Sequence, residues 1–287
     1  MAAVILAVIL LGALLAPLIS THVVHHGPND QYVATATDEF GLPKGPSAEF
    51  WFGADQLGRD VFVRALYGVR TSLIVATIAT IIAMSIAIVA GVVAGFLGGG
   101  VDSLISRVTD VALALPSTLL ILGLVTACSG PEGCAGGLIR PGMALVAIAL
   151  GLFNWMIAAR VLRARTLSLR EQDFVQASRI QGLSRIQVVR KDILPNLIGQ
   201  IVALVTIAFP LAVLGEASLS FLGIGVPATT PSLGSMLENA NRYITVAWWL
   251  MFFPGLVLFG LTISVNILGE AVRRHVDPTG TDGFLGA

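Results

Sequence analysis

Two cysteines and four histidines are the side chains of this 287-residue sequence best suited to metal or redox chemistry. Cys128 and Cys134 bracket CSGPEGC, where the intervening Gly and Pro permit a tight ring. A disulfide and a pair of free thiols both fit, and neither cysteine has a second partner at metal-ligand spacing. His22, His25 and His26 cluster in THVVHH, apart from the cysteines, and read as a solvated loop end. No Ser/His or His/Glu metal constellation stands at a plausible depth in the apolar runs, which disfavours an intramembrane enzyme. No GxxxxGK[ST] phosphate loop occurs, so the chain is not expected to bind or hydrolyse ATP, and it is expected to carry no cofactor of its own.

The carboxylates inside apolar runs are few, and each is informative because burying a charge in lipid is costly. Asp110 sits near the start of the third run, Glu216 far into the fifth and Glu270 at the end of the sixth. At 1.5 Å per residue, Glu216 is roughly 30 Å along a helix from Asn196, near the outer boundary of the membrane. It reads as an outer-vestibule or a helix-packing residue, while Asp110 is expected to pair with Arg107 or a neighbouring subunit. None lies at the midplane, which weighs against a proton- or sodium-coupled secondary transporter. Pro116 and Pro210 could break helices, and Asn154 and Asn266 could line a path, so that alternative stays open.

These residues must be positioned by membrane helices. The composition is 55% hydrophobic and 12% charged, with mean hydropathy +0.87, which places the chain among all-α, multi-span membrane proteins and gives no support to nucleic-acid binding. Six runs approach the ~20 residues needed to cross ~30 Å of hydrocarbon: 2–19, 71–97, 104–127, 142–162, 196–222 and 246–270. No Lys or Arg precedes the first, so it reads as a retained span rather than a cleaved signal. The formal net charge is zero, but Arg160, Arg163, Arg165, Arg170, Arg179, Arg185, Arg190 and Lys191 concentrate basic charge between the fourth and fifth runs. Taking that loop as cytoplasmic puts both termini on the same side and Cys128 and Cys134 on the oxidising side. The expected organisation is a first span over 1–19, an external segment over 20–70, a five-helix core over 71–270 and a cytoplasmic tail over 271–287.

Within the external segment, residues 20–50 are rich in turn formers. In FGADQLGRDVFVRALYGVRTSL, Leu57, Val61, Ala65 and Val69 recur at helical spacing opposite Arg59, Asp60, Arg64 and Arg70. That pattern predicts an interfacial amphipathic helix lying on the membrane and leading into the second span.

The polar stretch EQDFVQASRIQGLSRIQVVRKDILPN, residues 171–196, interrupts the apolar runs. Phe174, Ala177 and Gln181 share one helical face, as do Leu183, Ile186, Val189 and Ile193 after Gly182. Two short helices broken at Gly182 are expected, with Pro195 in the first turn of the fifth span. Their apolar stripes must be buried, either on an anionic membrane surface or in a groove on another protein.

The string QASRIQGLSRIQVVRKDILP resembles the EAA loop of ABC importer permeases. Gln176, Ala177 and Ser178 occupy the EAA positions, Gly182 its glycine, and Ile193, Leu194 and Pro195 its end; Gln176 departs from the commoner Glu. FGADQLGRDVFVRALYGVRTSL is similar to the GTDxLGRDxxSRxxxGxRxSL signature of C-type permeases of dipeptide, oligopeptide and nickel importers. TDVALALPSTLLIL, GEASLSFLGIGVPATTPSLGSML and PGLVLFGLTISVNILGEAVRRHVDP extend the likeness over residues 50–280. The resemblance implies a type I ABC importer permease fold with a cytoplasmic EAA loop over 163–195, a homologous B-type permease partner, two ATPase subunits that use ATP and Mg, and a substrate-binding protein outside. It implies that Phe174, Gln176, Ala177, Ser178, Gly182 and Leu183 contact an ATPase, and that the cargo is short peptides or, alternatively, a nickel chelate or other small solute.

Overall fold

The computed structural model describes residues 2–130, 133, 134, 137, 139–227 and 229–276, and the expected tail beyond 276 lies outside them. Thirteen α-helices follow in order among these residues: α1 Ala2–Leu14, α2 Ala16–Ile19, α3 Val33–Ala36, α4 Val61–Leu97, α5 Gly99–Ala114, α6 Ser117–Ala127, α7 Met143–Phe153, α8 Met156–Arg170, α9 Asp173–Ile180, α10 Arg185–Val188, α11 Leu194–Phe221, α12 Leu233–Asn241 and α13 Trp249–Val276. The described residues contain isolated bridges but no strand. Backbone groups in lipid must be satisfied within the segment, which is why apolar runs of this composition become helices.

Three helices are long and apolar enough to cross a membrane unbroken: Val61–Leu97, Arg185–Phe221 and Trp249–Arg274. Three further pairs qualify only as bent units, α1 with Ala16–Val24 (64°), α5 with α6 (83°) and α7 with α8 (42°). The break between α5 and α6 falls at Leu115–Pro116, where proline lacks an N–H and disfavours α geometry in the residue before it. The break before α8 falls at Asn154–Trp155, with no proline or glycine to announce it.

The chain divides into two compact units. One comprises Met1–Thr77, Leu124–Ala147 and Pro210–Leu268; the other comprises Ile78–Gly123, Ile148–Phe209 and Gly269–Ala287. The first holds the disulfide between Cys128 and Cys134. In the second, the core packs Met84, Phe96, Leu162, Leu169, Val175, Val188 and Leu197 together. Gly91 and Gly95 let α4 approach α8 closely there: an added Cβ would lie 2.7 Å from the Ala159 carbonyl at one and 2.7 Å from the Arg163 carbonyl at the other. This is small-residue packing four positions apart, as membrane helices commonly use.

Residues 61–70 are helical and lead into the second run, but not as a separate amphipathic helix with the expected faces. They are the first turns of α4, which runs on without a break, and Leu57, expected on the apolar face, is exposed. Arg59, Asp60 and Arg64, expected on the polar face, are buried. They are tolerated because each has partners from neighbouring turns: Arg59 Nε donates to Asp55 Oδ2 at 2.7 Å, and Arg64 Nη1 to the Pro28 carbonyl at 2.7 Å and to Asn29 Oδ1 at 2.9 Å. Asp60 caps α4, its Oδ1 accepting from the N–H groups of Phe62 and Val63. His26 is likewise buried rather than solvated: its Nδ1 lies 2.8 Å from Asp60 Oδ2, and its ring stacks on Phe50.

Asp110 pairs with Arg160, not with Arg107. Two turns earlier on α5, Asp102 takes both Nε and Nη2 of Arg163, the latter at 2.7 Å, so two ion pairs clip α5 to α8.

Candidate functional site

The candidate site is the helix–turn–helix between α8 and α11. Helix α9 starts with Asp173 in its first turn, where a carboxylate suits the positive end of the helix dipole. It stops through the glycine: Gly182 has φ 84°, its N–H donates to the Arg179 carbonyl at 3.0 Å, and the Leu183 N–H reaches the Ser178 carbonyl at 3.2 Å. This is a Schellman termination, which requires the left-handed geometry that glycine adopts without strain. Ser184 then begins α10 with a reciprocal capping box, its N–H donating to Gln187 Oε1 at 2.8 Å and its Oγ accepting from the Gln187 N–H.

The second helix does not end before the fifth span, contrary to the sequence expectation. Helical structure is continuous from Arg185 to Phe221, so Pro195 lies inside it, after a π turn over Val189–Ile193. A wider turn at that point accommodates a residue that lacks an N–H and crowds the carbonyl four positions back.

The buried faces also differ from the expected stripes. Val175 and Val188, both fully buried, and Ile193 fix the segment against the core, each contributing about 1.5–3 kcal/mol by removal from water. Phe174 is 42% exposed, Ile180 87% and Ile186 72%, and Ala177 and Gln181 are exposed as well. Ile186 therefore leaves the face it was expected to share with Ile193, because α10 turns Val188 inward instead. The outcome is a braced turn that presents a row of exposed apolar side chains.

Gln176 is partly buried, and its Nε2 donates to the Arg170 carbonyl at 3.1 Å, closing one of the open carbonyls at the end of α8. Only an amide can donate there; a glutamate could not. Gln176→Glu is therefore expected to loosen the α8–α9 corner by about 1–3 kcal/mol, since the carbonyl loses its donor and faces a carboxylate. Faster amide hydrogen exchange at residues 170–180 is the readout, and unchanged exchange counts against the bond.

The remaining candidate residues are scattered. Asn154 sits at the break before α8 on an open cavity of about 300 Å³ shared with Pro116, Ser117 and Met156, and its amide donates to the Leu150 carbonyl. Asn266 is exposed on α13 and donates to the Thr262 carbonyl at 3.0 Å. Glu216 is fully enclosed, so its vestibule reading gives way to packing: Oε2 accepts from Ser72 Oγ at 2.5 Å and Oε1 from Ser220 Oγ at 2.7 Å, tying α4 to α11. Glu216→Gln should be tolerated because the serine hydroxyls can also accept. Glu216→Leu should cost about 1–3 kcal/mol for each serine left without an acceptor. Thermal unfolding of the two purified variants checks this, and equal midpoints would contradict it.

Sequence reasoning did not anticipate the roles of Val175, Ile180 and the Ser184–Gln187 box. The S-x-x-Q spacing of the box was a readable signal. The inward turn of Val175 was not, because both faces of α9 carry apolar residues.

Comparison with known proteins agrees with this architecture. Residues 87–278 match the family described as binding-protein-dependent transport system inner membrane component. The dipeptide transport system permease protein DppC of Bacillus subtilis is 34% identical over 267 residues, 93% of this chain and 77% of the relative. The oligopeptide transport system permease protein OppC of the same organism is 32% identical over 275 residues, 96% of this chain and 83% of the relative. The glutathione transport system permease protein GsiD of Shigella flexneri is 38% identical over 241 residues, 84% of this chain and 76% of the relative. An inward-facing structure of the MetNI methionine ABC transporter superposes with a TM-score of 0.57 over 73% of this chain and 94% of its own, at 20% identity, a likeness of fold alone. The chain belongs to the binding-protein-dependent inner-membrane components, the multi-pass permease subunits of ABC transporters.

Proposed function

We propose that this chain is a permease subunit of an ATP-driven importer for short peptides and that α9, Gly182 and α10 form its coupling element. Family membership implies a partner permease and ATPase subunits. In this reading the partner is a homologous B-type permease, two ATPases sit on the cytoplasmic side and a substrate-binding protein docks outside. The chain crosses the membrane six times, each bent pair counting as one span, with both termini in the cytoplasm. The chain binds no cofactor; ATP and Mg belong to the ATPases. Closure of the ATPases would push on α9, and the helices on either side would carry that motion to the translocation path, to which this reading assigns Asn154 and Asn266.

The observation that carries the coupling role is the exposure of Phe174, Ile180 and Ile186 on a turn whose other face is locked into the core. An amphipathic helix with such a row is built to enter a groove on another protein. The peptide cargo is supported by relatives named for dipeptides, oligopeptides and the tripeptide glutathione. Uptake of labelled di- and tripeptides in a strain lacking this chain tests the cargo. Reduced uptake, restored by the chain, is expected, and unchanged uptake across a broad peptide set would overturn the peptide assignment.

A further inference from the structure

Beside the last apolar turn of α4 lies an open cavity of about 450 Å³, lined chiefly by Phe96, Leu97, Arg170, Glu171, Arg179 and Arg185. Three guanidiniums and one carboxylate face it. Arg170 is engaged, its Nε donating to Glu171 Oε1 at 2.8 Å and its Nη1 to the Gly95 carbonyl at 3.2 Å. The Arg179 guanidinium is held 5.1 Å from the centre of the Phe96 ring. Neither Arg179 nor Arg185 has a carboxylate partner among the described residues. The cavity thus presents two unneutralised cations next to the end of an apolar helix that runs from Val61 to Leu97.

The cavity is distinct from the apolar docking row. Arg179, exposed itself, follows the fully buried Val175 by four residues and so lies on that side of α9, whereas Phe174, Ala177 and Ile180, three apart, form the exposed apolar row. A cationic cavity with an apolar rim, at the end of a membrane helix and turned away from the exposed row, matches a ligand with an anionic head and apolar tails. We propose that it holds the phosphate headgroup of an anionic phospholipid. Arg179 and Arg185 clasp the phosphodiester oxygens, and Phe96 and Leu97 meet the start of the acyl chains. Because Arg179 belongs to α9 and Arg185 to α10, a bound headgroup ties both sides of the Gly182 turn to the end of α4.

The test uses the assembled transporter with its partner permease and ATPase subunits, exchanged into phosphatidylglycerol or phosphatidylcholine and examined by native mass spectrometry. The wild type should retain phosphatidylglycerol in preference to phosphatidylcholine. Arg179→Ala/Arg185→Ala should weaken that retention about thirtyfold, about fivefold for each guanidinium near an anionic surface. Arg190→Ala/Lys191→Ala, equal in charge change but outside the cavity, should retain the lipid. Equal retention of both lipids by the wild type, or equal loss in the two double variants, overturns the proposal. Displacement by millimolar inorganic phosphate assigns the cavity to a soluble phosphate and overturns the lipid as occupant. Loss of ATPase subunits from the Arg179/Arg185 variant with lipid retention unchanged assigns these arginines to subunit docking and likewise overturns it. Retention is read without transport, so the outcome is independent of which substrate the importer carries.

Discussion

Ala177→Arg and Gly182→Pro are each expected to abolish substrate uptake while leaving the chain at its normal level in the membrane. Ala177 lies between Phe174 and Ile180 on the exposed row of α9, so under the proposed coupling role a long cation there would enter the ATPase groove in place of a methyl group. Losing the centre of such an interface costs about 2 kcal/mol or more, about thirtyfold in docking affinity. The Gly182 effect has a different origin. An added Cβ there meets open space, so the penalty is not one of crowding: φ 84° is inaccessible to proline, and the N–H that bonds the Arg179 carbonyl disappears. Gly182→Ala should fall between, at about 1–2 kcal/mol for one left-handed residue. Peptide uptake in cells, ATPase subunits copurifying with the chain, and its level in membranes are the three readouts. Normal uptake with normal copurification in both variants would remove the coupling role.

The membrane helices were legible in the sequence because lipid leaves an apolar run little choice of structure, and the turn at Gly182 was legible because few residues other than glycine terminate a helix in that way. What the sequence concealed were relations between distant segments. Asp110 has Arg107 three positions before it, yet its partner is Arg160, supplied by another helix. Arg59, Asp60 and Arg64 looked like the wet face of a surface helix, since periodicity sees one helix at a time. Their burial depends on Asp55 from the preceding turn and on His26, Pro28 and Asn29 from more than thirty positions earlier. The bend before α8 at Asn154–Trp155 left no proline or glycine to read. Likewise, in α9 the choice between Phe174 and Val175 as the inward residue is made by the core of the second unit, not by α9 itself.

The buried charges near the start of α4 yield the second large effect. Asp55→Asn is expected to lower the stability of the purified chain by about 3–5 kcal/mol, the usual consequence of leaving one partner of a buried ion pair. Asp55 Oδ1 accepts from the N–H groups of Leu57 and Arg59 at 2.9 and 3.0 Å, and an asparagine keeps that oxygen. What it gives up is Oδ2, which accepts from Arg59 Nε at 2.7 Å and stands 3.8 Å from Arg64 Nε. Arg59 is 7% exposed and cannot shed its proton, so its charge stays enclosed without a carboxylate. Arg59→Met alone should cost less, because Asp55 retains its backbone donors and the nearby Arg64. Asp55→Asn/Arg59→Met should recover the larger part of the loss, since a buried pair replaced on both sides by neutral groups of similar size is often close to neutral. The heating midpoint at which the chain leaves its monodisperse chromatographic peak gives the order: wild type, then the double variant, then Asp55→Asn. If Asp55→Asn and the double variant melt together, the pairing of charge is not what holds this turn. If they separate as expected, the string GADQLGRD acts by folding the first turns of α4 around a neutralised cluster, and the surface-anchor reading of the same residues fails on energetic as well as structural grounds.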